Sequence, residues 1–301
     1  MPSLRAASVA LVAGVAVGVA TPAAFAAEQA PLTPLVPVKA DAACAERPEK
    51  AVPVTFDNND AVFVSASGAR FFVGDIQVPA PAAEIVGRQN GGDQSLRAYL
   101  ASRPDVELTA LPAGPENRWG LTPGWVFASS GSGGDAVLLQ ADLLRAGVAI
   151  FAPDHAGAAC ADALRAAEAQ ASQAKAGLWG KSAPRLVYSA DAPKSFTGAS
   201  GHYVIARGRI VSLGKTRSTR YLNFGNYWKT DFTVTLKASD EEDVNTALGR
   251  FGWTLDALEG QVVEIRGSVQ DRDGPSMVLR HPEQLVVLND KRAGRDGQSS
   301  N

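Results

Sequence analysis

The chain has 301 residues and a net charge of −2, from 29 lysines and arginines against 31 aspartates and glutamates. So even a balance excludes general attraction to a polyanion, and any nucleic-acid contact has to rest on a local patch. The length suits two domains of ordinary size.

The first residues read as an export signal. Arg5 gives a basic start, an apolar run spans Ala6 to Ala20, and Ala24-Phe25-Ala26 offers a small-x-small cleavage site. The run is too short and too rich in Gly and Ala for a membrane span, which needs about 20 residues. Residues 1–26 are therefore expected to be a signal peptide, residues 27–49 a flexible Ala/Pro-rich leader, and the mature protein periplasmic or secreted, with no stable membrane insertion. Cys44 and Cys160 are the only cysteines. An oxidising compartment and the lack of a CxxC spacing predict one structural disulfide between them.

Strand signals begin at Ala61–Val64 and Arg70–Val73, followed by a helix from Gln94 to Ser102 capped by Asp93. Further strands fit Val106–Leu111 and Gly124–Ala128. Val137–Ala146 reads as a helix closed by Gly147. An Ala/Gln/Lys/Glu-rich helix runs from Cys160 to Leu178. Residues 182–199, marked by Pro184, Pro193 and Gly198, read as a linker. Beyond it strand signals dominate, at Tyr203–Ser212, Tyr221–Phe224, Asp231–Lys237, Gln261–Ser268, Ser276–Leu279 and Gln284–Leu288. A short helix near Glu241–Phe251 interrupts them, its acidic run Asp240–Asp243 suited to a helix N-terminus. That pattern suits a small OB-type barrel over residues 200–288, with a polar, disordered tail at 289–301.

Four motifs in order carry a resemblance. Phe72-Val73-Gly74-Asp75-Ile76-Gln77-Val78-Pro79, Asn117-Arg118-Trp119-Gly120-Leu121, Leu138 to Ala149 with its Gly147-Val148-Ala149 ending, and Glu168 to Gly177-Leu178-Trp179 are similar to those of the thermonuclease-like family. The resemblance spans residues 50–181. It implies an OB barrel with three helices, hence an α+β, mostly β chain of two small barrels. Active members of that family cleave phosphodiesters with Ca²⁺: carboxylates hold the cation and assist the attacking water, while arginines neutralise developing charge.

This sequence departs from the pattern where the chemistry resides. The family's first arginine falls on Phe72, its metal-binding aspartate on Gln77, its general-base glutamate on Ala80 and its second arginine on Leu121. The earlier metal motif falls near Asn59-Asp60-Ala61-Val62. The expectation is a pseudoenzyme without cofactor, acting as a binding or interaction module. The alternative is an active Ca²⁺-dependent nuclease in a shifted register, using Arg70, Asp75 and Arg118.

The histidines, His155, His202 and His281, lack ligand spacing and read as surface or loop residues, and Gly131-Ser132-Gly133-Gly134 reads as a flexible loop. A more pointed feature runs from Ala192 to Thr230, a stretch rich in Lys and Arg. Arg207, Arg209, Arg217 and Arg220 alternate there with aromatics including Tyr221 and Trp228. Together they could line a groove for single-stranded nucleic acid or another anionic polymer. The competing readings are that the aromatics are core residues and the charges merely solvated, or that the partner is an envelope protein.

Overall fold

The computed structural model describes residues 43–45, 50–78, 91–130, 136–227 and 229–288. The expected signal peptide, most of the leader, the glycine loop at 131–134, the tail, Ala80 and Trp228 lie outside the described residues.

The first half closes into a five-stranded barrel. Strands β1 (Val52–Asp57), β2 (Val62–Ser65) and β3 (Arg70–Val73) form an antiparallel meander. After β4 (Ile76–Gln77) and helix α1 (Gly91–Ala101) come β5 (Val106–Pro112) and β6 (Thr122–Ser130). β5 pairs antiparallel with both β1 and β6, and the parallel pairing of β3 with β6 closes the ring. The closed order β1-β2-β3-β6-β5, with a helix between β3 and β5, is the arrangement of an OB-like barrel. Alternation along the strands fills it with Phe63, Phe71, Ala110 and Val126.

Two more helices pack on this barrel. The chain continues through β7 (Val137–Leu138), α2 (Leu139–Arg145), β8 (Ile150–Phe151) and α3 (Ala158–Ala174). Thus Val137 and Leu138, expected in a helix, extend β6 instead. Helix α3 turns Ala161, Leu164, Ala167 and Ala171 to the core at a helical period, and ends where Lys175 adopts a left-handed conformation. Cys160, in its first turn, is bonded to Cys44.

The stretch expected as a linker is built into the second half. β9 (Val187–Ser189) pairs parallel with β10 (Tyr203–Arg209). Phe196, between them, stacks on Phe232 at 4.6 Å inside the second core. The prolines start a short 3₁₀ turn at Pro193–Phe196 rather than a free tether. β10 also pairs with β14 (Val262–Ser268), which pairs with β17 (Leu285–Val287). A separate sheet runs in the order β11 (Ser212–Lys215), β12 (Thr219–Asn223), β13 (Thr233–Lys237), β16 (Pro275–Val278), β15 (Gln270–Asp271). The chain turns from one sheet to the other at Ile210–Val211 and again at Val269. Helix α4 (Glu241–Gly249) opens with Glu241, Glu242 and Asp243, which complement its dipole.

The halves meet through buried charge. Arg266 of β14 is 5% exposed and Glu168 of α3 is 3% exposed. The guanidinium reaches Glu168 at 2.6 Å, Glu264 at 2.7 Å, and donates to the Phe151 carbonyl at 3.0 Å. Glu168 also accepts the Phe151 N–H at 2.8 Å. Burial works against the ionised Arg266, yet Glu168 and Glu264 hold it charged far above the usual range. Beside them Arg165 of α3 donates to Glu283 at 2.8 Å, and Arg250 pairs with both Glu283 and Asp162.

Candidate functional site

The resemblance aligns catalytic residues with Phe72, Gln77 and Leu121, and with Ala80 outside the described residues. Phe72 sits half-buried on β3, Gln77 is exposed on β4, and Leu121 lies in a turn where its N–H donates to Asn117 Oδ1 at 3.1 Å. Gln77 donates only a long bond to the Val78 carbonyl. Asp60, near the expected metal motif, is engaged by Arg70. A neutral amide and one carboxylate held by an arginine do not fit a Ca²⁺ ion, which takes six to eight oxygens, roughly, several of them anionic.

The residues of the shifted alternative are committed elsewhere. Arg70 is taken up by Asp60. Arg118 is exposed and lies over the ring of Trp119 at 4.1 Å, itself 65% exposed. Asp75 is 3% exposed and has φ +58°, a conformation Asp tolerates better than most. Its Oδ1 accepts the N–H groups of Asp154, His155 and Ala156 at 2.8, 2.9 and 2.7 Å. Its own carbonyl accepts from Ala152 at 2.9 Å. Asp75 thus pins the β3–β4 turn to the loop that enters α3. No hydrogen bond or ion pair joins Arg70, Asp75 and Arg118 among the described residues.

The arginines proposed for a polyanion groove do not converge either. Arg207 is held by Glu264 at 2.7 Å, and burial of that carboxyl is outweighed by Arg266 and Arg207, which keep it below the usual range. Arg209 donates to the Gly260 carbonyl. Arg220 points with Leu222 to the inner side of β12, where it hydrogen-bonds Glu241 of α4 and holds that carboxyl below its ordinary range. Arg217 is exposed in the β11–β12 turn. Arg207 and Arg209 therefore belong to one sheet, Arg220 to the underside of another, and only Tyr221 faces a cleft. Strand parity was the available signal: Arg220 shares the face of Leu222, not that of Tyr221.

The cleft lies on the outer face of the five-stranded sheet, has a volume of about 590 Å³, and was not singled out from sequence. Register places two rows of outward side chains across the strands. One row reads Ser212, Asn223, Thr233, Ser276, Gln270. The next reads Gly214, Tyr221, Thr235, Val278. Tyr221 lies against Gly214, where a Cβ would come within 3.2 Å of it. The hairpin between β15 and β16 closes one side with Arg272 and Asp273, the latter at φ +52°. Asn223 donates to Ser212 Oγ at 3.1 Å, while Thr233 Oγ1 is buried without a hydrogen-bond partner among the described residues.

The histidines are less peripheral than expected. His155 and His281 are half-buried, with His155 packed against Gly114. His281 Nδ1 accepts the Glu283 N–H at 3.2 Å and caps the 3₁₀ turn Pro282–Gln284. Burial lowers its pKa, against the pull of Asp75, Glu283 and Asp154.

Among the described residues no helix is long and apolar enough to cross a membrane. No protein-family model matches the chain, and a search of curated proteins finds no match.

Proposed function

We propose that this chain is an exported, thermonuclease-like protein without nuclease chemistry, whose second half is an OB-type barrel used for binding. The observation that carries the first part is the state of the family's positions: Phe72, Gln77 and Leu121 are neutral, and Arg70, Asp75 and Arg118 each serve a separate local contact. Loss of both arginines and a metal ligand removes the electrostatic stabilisation on which phosphodiester cleavage depends. A second OB-type barrel is supported by the repetition of one scheme. In each half a helix, α1 or α4, lies between two strands that pair parallel with each other, β3 with β6 or β13 with β16. The Cys44–Cys160 disulfide is in keeping with export to the periplasm or beyond.

The test is incubation of the purified protein with single-stranded DNA and RNA in Ca²⁺. No cleavage above a buffer control is expected. Digestion abolished both by chelator and by Arg118→Ala would overturn the reading and establish a nuclease with a shifted site.

A further inference from the structure

We infer that the cleft on the outer face of the β11–β12–β13–β16–β15 sheet takes a neutral oligosaccharide. The inference rests on the reading of the second half as a binding barrel and names its ligand class.

The argument begins with the charge of the face. Across five strands the outward rows supply hydroxyls and amides from Ser212, Asn223, Thr233, Thr235, Ser276 and Gln270. The described lining residues carry two charges of opposite sign, Arg272 and Asp273. A polyanion would find no cluster of cations here: Arg272 is the one basic residue among the described lining residues, and Arg207, Arg209 and Arg220 lie on other faces, held by carboxylates or a backbone carbonyl. What remains is a surface of groups that both donate and accept, which matches a ligand whose own groups are hydroxyls.

Three further features fit a sugar chain. Strands about 4.8 Å apart place the outer members of the sheet some 19 Å from one another, room for several rings in a row. Tyr221 stands on the second of these strands and offers an aromatic surface for the C–H face of a pyranose, with a polar tip beside it. Thr233 lines the cleft with its Oγ1 buried and without a partner among the described residues, so a turn about χ1 that brought the hydroxyl to a ligand would also relieve an unfavourable burial. The volume, about 590 Å³, lies within the ordinary range of small-ligand sites.

Calorimetric titration of the intact protein with cellohexaose and chitohexaose tests this, with hexagalacturonate and a single-stranded oligodeoxythymidine as anionic comparisons. At least one neutral hexasaccharide should bind, with affinity unchanged across a tenfold range of salt, since no phosphate or carboxylate contact is involved. Tyr221→Ala should weaken binding about tenfold or more. Thr233→Val, which keeps the shape of the side chain, should weaken it roughly three- to tenfold while leaving thermal stability equal or higher. That second variant separates a ligand-binding hydroxyl from a structural one without risk to the fold. Absence of binding by both neutral sugars, or binding indifferent to both substitutions, overturns the inference. If instead an anionic oligomer binds in a Tyr221-dependent way, the binding barrel stands and the neutral ligand class falls. If nothing binds in the cleft, both fall, while the nuclease assay judges the first half separately.

Discussion

Replacing Arg266 by Met should strongly destabilise the protein. The guanidinium has five contacts: to Glu264 Oε1 through Nε at 2.9 Å and Nη2 at 2.7 Å, to Glu168 at 3.0 and 2.6 Å, and to the Phe151 carbonyl at 3.0 Å. Glu264 keeps Arg207 in the variant, so its charge remains compensated. Glu168 does not fare so well: at 3% exposure it retains only the Phe151 N–H. Breaking a buried pair from one side costs about 3–5 kcal/mol, because the remaining charge is stranded. At about 2–4 °C per kcal/mol for a protein of this size, the melting temperature should fall by roughly 6–20 °C. The stranded Glu168 then gains a raised folded-state pKa. The folded variant binds more protons than its unfolded chain, and its deficit should be larger at pH 8 than at pH 5. Adding Glu168→Gln removes the stranded charge and should recover part of the loss. Thermal denaturation followed by circular dichroism at the two pH values measures all of this. A fall of less than about 2 °C, or a deficit that ignores both pH and Glu168→Gln, would refute the reasoning.

Gly147→Ala should be poorly tolerated, by several kcal/mol. Its φ is +68°, and a Cβ there would lie 2.3 Å from the Ala176 carbonyl oxygen, a backbone atom that cannot step aside; urea unfolding would reveal the loss. Replacing both Cys44 and Cys160 by Ser should lower stability by at most about 4–5 kcal/mol, the chain-entropy value for a loop of roughly this length, the two standing 116 positions apart in sequence. A denaturation midpoint unmoved by reduction would contradict that. His281, whose pKa burial lowers, should make the protein less stable as pH falls. In the window between its folded value and the unfolded value near 6.5, the unfolded chain holds the extra proton, so stability is full above the window and lost below it. His281→Asn keeps a capping side chain that does not titrate and should flatten the slope between pH 7.5 and 5.5, which chemical denaturation at several pH values would show.

Many of the second half's strands were legible because strand alternation and turn residues are local. Residues 203–209 and 262–268 alternate or run apolar as their burial requires. β1 was hidden by Pro53, which argues against a strand interior. Pro53 opposes Thr109 of β5, but pairing with β2 starts only at Val54, so its missing N–H faces no second neighbour. The same bias toward proline as punctuation turned β9 and Phe196 into a linker. The interface was invisible for another reason. Glu168 and Arg266 stand 98 residues apart, and each looks like an ordinary surface charge until the fold brings them together. The cleft, too, depends on register between five strands, which no local pattern supplies.

The motifs that carried the resemblance also divide along physical lines. Gly147 and Gly177 approach so closely that a Cβ on either would lie 2.3 Å from the other segment's carbonyl oxygen, and the Leu178 N–H donates to the Gly147 carbonyl at 2.8 Å. Those glycines tie the end of α2 to the turn after α3, so they are required by packing whatever the surface does. Asp75, one residue of the shifted alternative, likewise has its Oδ1 taken up by three backbone N–H groups. Charge in this molecule is thus spent on assembly: Asp75 on a loop, Glu168 and Arg266 on the junction of the halves, Arg220 and Glu241 on the seating of α4. An arginine already saturated by a carboxylate cannot neutralise a phosphate without breaking a contact that holds the fold. A neutral ligand on a neutral sheet asks for no such exchange, and that energetic difference favours the cleft at Tyr221 and Thr233 over the basic stretch as the working surface.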